Sequence, residues 1–257
     1  MLKRSLSCSF VFALWALSGC GGGESPITIE PLAAGAGLYF TDGNTIFPDA
    51  NANFYKLNPI TGETAVQTVN TGSDDAGRCP SLFALDSRPD GVVLAVARRV
   101  AAIYEVDPRV TRCKLLAGLP EVMAAVAVRS DGHIFTVSVS NKLYELDSRG
   151  GVLFATTLVC PANAITCKIL GIDFAPDGTL FGIGQLGQWG PIDTLSGRVT
   201  TIKSGAAFSD DFDIDALGKV RGLAGGELRN FDLAGNQVGT AITVFGGTAF
   251  ATGLVYR

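Results

Sequence analysis

Three aspartates, Asp86, Asp173 and Asp213, fall at one position of a segment that repeats along the chain, with Ala127 and Val255 in the two other copies. If these strands line a common axis, the carboxylates would form a partial anionic ring able to hold Ca²⁺ or a cationic ligand through oxygen. They could instead accept hydrogen bonds from backbone amides at the strand ends. Arg88, Arg129 and Arg257 share a column two residues further on, on the same side of an extended strand, which suggests a repeated ion pair there. Asp211, Asp213 and Asp215 alternate as ligands of a calcium loop do. However, Ala216 stands where that loop needs glycine, and Gly222 where it needs a bidentate glutamate. The chain has one histidine, His133, so a Ser-His-Asp arrangement would have to recruit it, and neither G-x-S-x-G nor H-E-x-x-H occurs. Gly225-Gly226 and Gly246-Gly247 lack the lysine and helix of a phosphate loop. Trp189, in a glycine-rich stretch, could stack on a sugar if exposed or pack between sheets if buried. No catalytic residue is assigned, and Ca²⁺ is the one cofactor for which the sequence offers ligands.

The elements that would position these residues are themselves repeated. Arg88-Pro89-Asp90-Gly91, Arg129-Ser130-Asp131-Gly132 and Ala175-Pro176-Asp177-Gly178 align without a gap, and Asp215-Ala216-Leu217-Gly218 is a degenerate fourth copy. Each reads as a tight hairpin turn between strands, with Asp-Gly supplying the positive φ. A second signature follows each turn: Tyr55-Lys56-Leu57-Asn58, Tyr104-Glu105-Val106-Asp107, Tyr144-Glu145-Leu146-Asp147, and the weaker Pro191-Ile192-Asp193 and Asn230-Phe231-Asp232. Its last residues are 49, 40, 46 and 39 positions apart, the period of propeller blades. Gly253-Leu254-Val255-Tyr256 matches the first strand of a blade with nothing after it, and Gly37-Leu38-Tyr39-Phe40 a second strand with no first. The expected fold is therefore an all-β, five-bladed propeller of four-stranded antiparallel blades, the C-terminal strand closing the first blade and so removing open edges. The blades would comprise 37–70 with 248–257, then 79–119, 120–162, 167–205 and 208–245. A six-bladed ring and a β-sandwich are the alternatives. These repeats resemble the broad bacterial group of β-propellers with NHL, SMP-30 and YWTD-like repeats. That resemblance implies a rigid scaffold with loops on two faces. In its SMP-30-like branch it implies a metal-dependent lactonase, in which a divalent ion in the channel polarises a carbonyl or activates water.

Residues 1–19 read as a signal peptide: Lys3 and Arg4 precede the apolar run Phe10 to Leu17, whose 8 residues are too few to span a bilayer. Leu17-Ser18-Gly19-Cys20 resembles the lipobox of bacterial lipoprotein precursors. Cys20 would become the new N-terminus, carrying diacylglycerol and an amide-linked acyl chain such as palmitate. Gly21, where aspartate would signal inner-membrane retention, favours the outer membrane of a Gram-negative cell. Residues 20–36 are small, Gly- and Pro-rich and read as a tether, with the folded domain at 37–257. Loss of Lys3 and Arg4 leaves 20 − 2 = 18 basic against 24 acidic residues, a net charge of −6. That balance excludes a nucleic-acid partner, which would need a basic stripe. Partners are expected to be the membrane, through the lipid, and an envelope protein or saccharide. Cys79, Cys113, Cys160 and Cys167 remain, an even number in an oxidising compartment. A local Cys160–Cys167 bridge would leave Cys79 with Cys113, one of three possible connectivities. The function expected is that of a lipid-anchored binding or assembly scaffold, with an SMP-30-like hydrolase or a carbohydrate-binding propeller as alternatives.

Overall fold

A computed structural model describes residues 31, 37–41, 54–61, 63–68, 80–97, 99–109, 112–161, 168–205, 211–224, 226–244 and 252–256. All elements within them are strands, gathered in five antiparallel sheets. Sheet 1 holds β1 (Leu38–Thr41), β2 (Phe54–Leu57) and β3 (Thr64–Thr68). Sheet 2 holds β4 (Leu82–Ser87), β5 (Val93–Ala97), β6 (Ala102–Asp107) and β7 (Arg112–Gly118). Sheet 3 holds β8 (Met123–Val128), β9 (Ile134–Ser138), β10 (Lys142–Leu146) and β11 (Val152–Thr157). Sheet 4 holds β12 (Ile169–Phe174), β13 (Leu180–Gly184) and β14 (Trp189–Ile192). Sheet 5 holds β15 (Phe212–Ile214), β16 (Val220–Ala224), β17 (Glu227–Phe231) and β18 (Ile242–Thr243). The last strand, β19 (Thr252–Tyr256), returns to the inner edge of sheet 1, pairing Leu38 with Tyr256 and Phe40 with Leu254. The innermost strands β19, β4, β8, β12 and β15 neighbour one another in a ring. This is a β-propeller, and the sandwich alternative is set aside.

Sheets 1, 2, 3 and 5 are four-stranded blades, whereas sheet 4 has three strands. The expectation of five four-stranded blades is corrected there, at four such blades among the described residues. The cause is local. Pro191 in the middle of β14 has no N–H to give a ladder. The chain at 198–203 therefore runs beside β14 without a continuous ladder, through the isolated bridges Ile192–Val199 and Trp189–Lys203 and a Thr200 N–H to Pro191 O bond of 2.9 Å. It does so very closely: a Cβ on Gly190 would lie 1.8 Å from the Thr200 carbonyl oxygen, so only glycine fits.

The middle strands explain the near-continuous apolar runs of the sequence. β5 (VLAVA) and β9 (IFTVS) are buried at every position, because neighbouring sheets cover both of their faces. Outer β11 is exposed along almost all its length. The hairpins after each first strand are three-residue loops rather than the tighter turns expected. Gly91 N–H donates to Arg88 O at 2.8 Å, Arg88 N–H to Val92 O at 2.8 Å, and only the glycine has positive φ (91°). Asp90 instead accepts the Val92 amide at 3.0 Å, and Asp131 and Asp177 do the same for His133 and Thr179. The second signature ends in Asx turns: Asp107, Asp147 and Asp193 accept the amides of Arg109, Arg149 and Leu195. Since strands alternate in direction, both turn types emerge on one face of the ring, here the upper face. The connections from second to third strand emerge on the lower.

Candidate functional site: carboxylates at the axis

Asp86, Asp173 and Asp213 are brought together as their column predicts. They line one cavity of about 630 Å³ at the upper end of the axis, with Ser87, Arg129, Phe174, Ile214, Asp215 and Leu217. Asp173 and Asp213 are buried.

The oxygens of two of them are engaged in one recurring way. One Asp86 oxygen accepts the amide of its chain neighbour Ser87 at 2.6 Å, and the other that of Val128 in the next sheet at 2.5 Å. Asp173 repeats this with Phe174 at 2.6 Å and Ile214 of the following sheet at 2.5 Å. The carboxylate is thus a clamp between adjacent first strands, replacing the ladder bonds that splayed inner strands cannot make. Asp213 faces Arg221, 3.7 Å from its Nη1, and the same guanidinium donates to Asp215 at 2.9 Å. Asp211 is also buried, with one oxygen 3.5 Å from the Leu85 amide.

Burial is the largest influence on Asp173 and pushes its carboxyl well above the usual carboxylate range; the charges of Asp86 and Asp213 push it the same way, against the two amide bonds. Asp215 is lowered on balance: its burial is outweighed by the Lys219 and Leu217 amides and by Arg221. Among the described residues, no three His, Cys, Asp or Glu side chains stand together closely enough to hold a metal ion. The three aspartates share a cavity without forming a cation-ligating cluster.

The arginine column finds other partners than those expected. Arg88 pairs with Asp90 at 3.2 Å and Glu105 at 3.1 Å, and Arg129 with Asp131 at 2.9 Å and Glu145 at 3.1 Å, rather than with the axial aspartates. The glutamates belong to the second signature, at the same offset after Tyr104 and Tyr144. That recurrence is the signal by which the pair could have been found. His133 sits at the surface with Nδ1 2.7 Å from Glu145 Oε1, part of the same ion-paired group. Trp189 is wholly buried, stacked on Phe181 at 5.1 Å and edge-on to Phe212 at 4.8 Å, while its Nε1–H donates to Leu233 O at 2.9 Å. It joins sheets 4 and 5 and offers no sugar platform. Across the ring's lower side, the Tyr144 hydroxyl donates to Glu121 at 2.5 Å; burial first, then this bond, pushes Tyr144 up to about 12. Cys113 is buried in β7 and Cys160 half-buried against sheets 3 and 4, whereas Cys20, Cys79 and Cys167 lie outside the described residues, as does Arg257.

The ring of sheets and its axial cavity define a β-propeller domain. No protein-family model and no curated protein matches the chain. Among solved structures it is similar to a chain of the crystal structure of a nidogen/laminin complex, with 12% identity over 85% of this chain and 97% of that one, at a TM-score of 0.53. It is also similar to a gluconolactonase from Xanthomonas campestris, with 15% identity over 80% of this chain and 71% of that one, again at a TM-score of 0.53.

Proposed function

We propose that this protein is a lipid-anchored β-propeller of the bacterial cell envelope, acting as a binding or assembly scaffold. The observation that carries this reading is the engagement of Asp86 and Asp173 in backbone bonds between sheets. Their column serves to hold the ring rigid, and rigidity is what a scaffold needs from its axis. The similarity to a propeller crystallised in the nidogen/laminin complex supports the same reading. The anchor rests on Cys20 within Leu17-Ser18-Gly19-Cys20, and the outer membrane on Gly21. Several acyl chains, each methylene contributing about 0.8 kcal/mol, would hold the domain stably. Residues 198–203, bridged to β14, would serve as the fourth strand of a fifth blade. Cys160–Cys167 and Cys79–Cys113 bridges are part of the proposal.

The test has two arms. A clickable palmitate analogue should label the wild-type chain and not Cys20→Ala, and envelope cross-linking should enrich specific proteins on the wild type over that control. Aldonolactone hydrolysis by the purified chain that vanishes in Asp173→Asn would replace the scaffold with an enzyme.

A further inference from the structure

We propose that the upper face of the propeller rests against the lipid surface to which the chain is tethered, with Leu217, Ile60 and Leu195 as its contact points. This inference rests on the anchor proposed above and adds an orientation to it.

Two independent observations converge on that face. The first is exposure. Leu217, Ile60 and Leu195 are 93%, 84% and 76% exposed, the highest values among the large hydrophobic residues described. Leu217 is at the tip of the hairpin after β15, Ile60 in the turn after β2, and Leu195 in the turn after β14. All three are upper-face turns, and their sheets, 4, 5 and 1, are consecutive in the ring. Exposed apolar tips on the lower face, Val100, Val139 and Leu186, are each only about half exposed.

The second observation is where the chain enters the fold. Leu38 pairs with Tyr256, the upper end of β19, just as Ser87 is the upper end of β4. The first strand therefore starts at the upper face. The 17 residues from Cys20 to 36 join it there. As the tether proposed from its composition, a chain of that length would have a root-mean-square span of about 20–25 Å. The upper face is thus held at high effective concentration beside the bilayer, so weak contacts suffice. The turn aspartates of this face, among them Asp131, Asp193 and Asp215, accept bonds from their own turns' amides or from arginines. With a mature net charge of −6, the chain favours a zwitterionic surface over an anionic one.

The full, acylated chain is reconstituted in phosphatidylcholine–phosphatidylethanolamine vesicles carrying brominated acyl chains. A tryptophan is placed singly at 60, 195 or 217, with positions 139 and 186 of the lower face as controls; buried Trp189 gives a constant background. These surface sites leave the fold intact, checked by thermal unfolding. Quenching of at least twofold at 60, 195 and 217, with none at 139 and 186, is the expected result, weakened when phosphatidylglycerol is added. Flotation with the vesicles but no quenching at any position, or equal quenching on both faces, overturns the orientation and leaves the anchor standing. A chain that does not float with the vesicles overturns the anchor, and the orientation with it.

Discussion

The joint between sheets 2 and 3 and the joint between sheets 3 and 4 solve one problem in two ways. In the first, Asp86 reaches across at the axis to the Val128 amide. In the second, the column offers only Ala127, and the sheets are held by apolar packing, with Phe135 edge-on to Phe174 at 5.1 Å. A backbone bridge at the outer end completes it: Val159 N–H donates to Gly197 O at 2.8 Å and Val199 N–H to Val159 O at 2.9 Å. The difference follows from electrostatics. An aspartate at 127 would stand beside buried Asp173, whose carboxyl is already pushed up by burial and by Asp86 and Asp213, and the Phe174 amide it would seek is taken by Asp173 itself.

The comparison breaks most severely at the apolar joint. Phe135→Ala should cost about 4 kcal/mol of unfolding free energy in denaturant titration, through lost burial and an unfilled cavity. Ala127→Asp, which adds a carboxylate beside buried Asp173, should cost about 3 kcal/mol at pH 7 and clearly less at pH 4, where a crowded carboxyl is neutral. Removing a clamp is milder: Asp173→Ala strands two buried amides and should cost about 2 kcal/mol, and the more exposed Asp86→Ala about 1 kcal/mol.

The smallest effect is the pH dependence of the clamp itself. The Asp173 carboxyl keeps its proton to higher pH folded than unfolded, because burial and its acidic neighbours disfavour the charge. Above about pH 4 the folded chain then binds more protons than the unfolded one, so this group's contribution to stability falls as pH rises until the folded group has ionised. The stability difference between Asp173→Asn and wild type should therefore drift in favour of the variant from about pH 4 upward. A drift in the opposite sense would mean that the amide bonds outweigh burial.

Much of the fold was legible in residues that recur. The orphaned strand at 253–256 matches internal copies, so its return to Leu38 followed from periodicity alone. The Asp column was equally visible, but its use was not. Which amide a carboxylate meets depends on how far apart neighbouring first strands stand, a property of ring geometry rather than spacing. Three-stranded sheet 4 was written in Pro191, which a repeat alignment passes over because it compares positions and not hydrogen-bond donors. The glutamate partners of Arg88 and Arg129 lie two strands away, so reasoning within one strand paired Arg88 with Asp86 instead. Trp189, with both a buried and an exposed reading open to it, was decided only by Phe181 and Phe212 closing over it.

Thermal unfolding of the purified wild-type chain and Asp173→Ala, with and without millimolar Ca²⁺, tests the clamp assignment most directly. The predicted result is a Tm lowered by the substitution and unmoved by calcium in either protein. A wild-type Tm that rises with calcium, with the rise lost in Asp173→Ala, would contradict it and return the axial aspartates to metal binding.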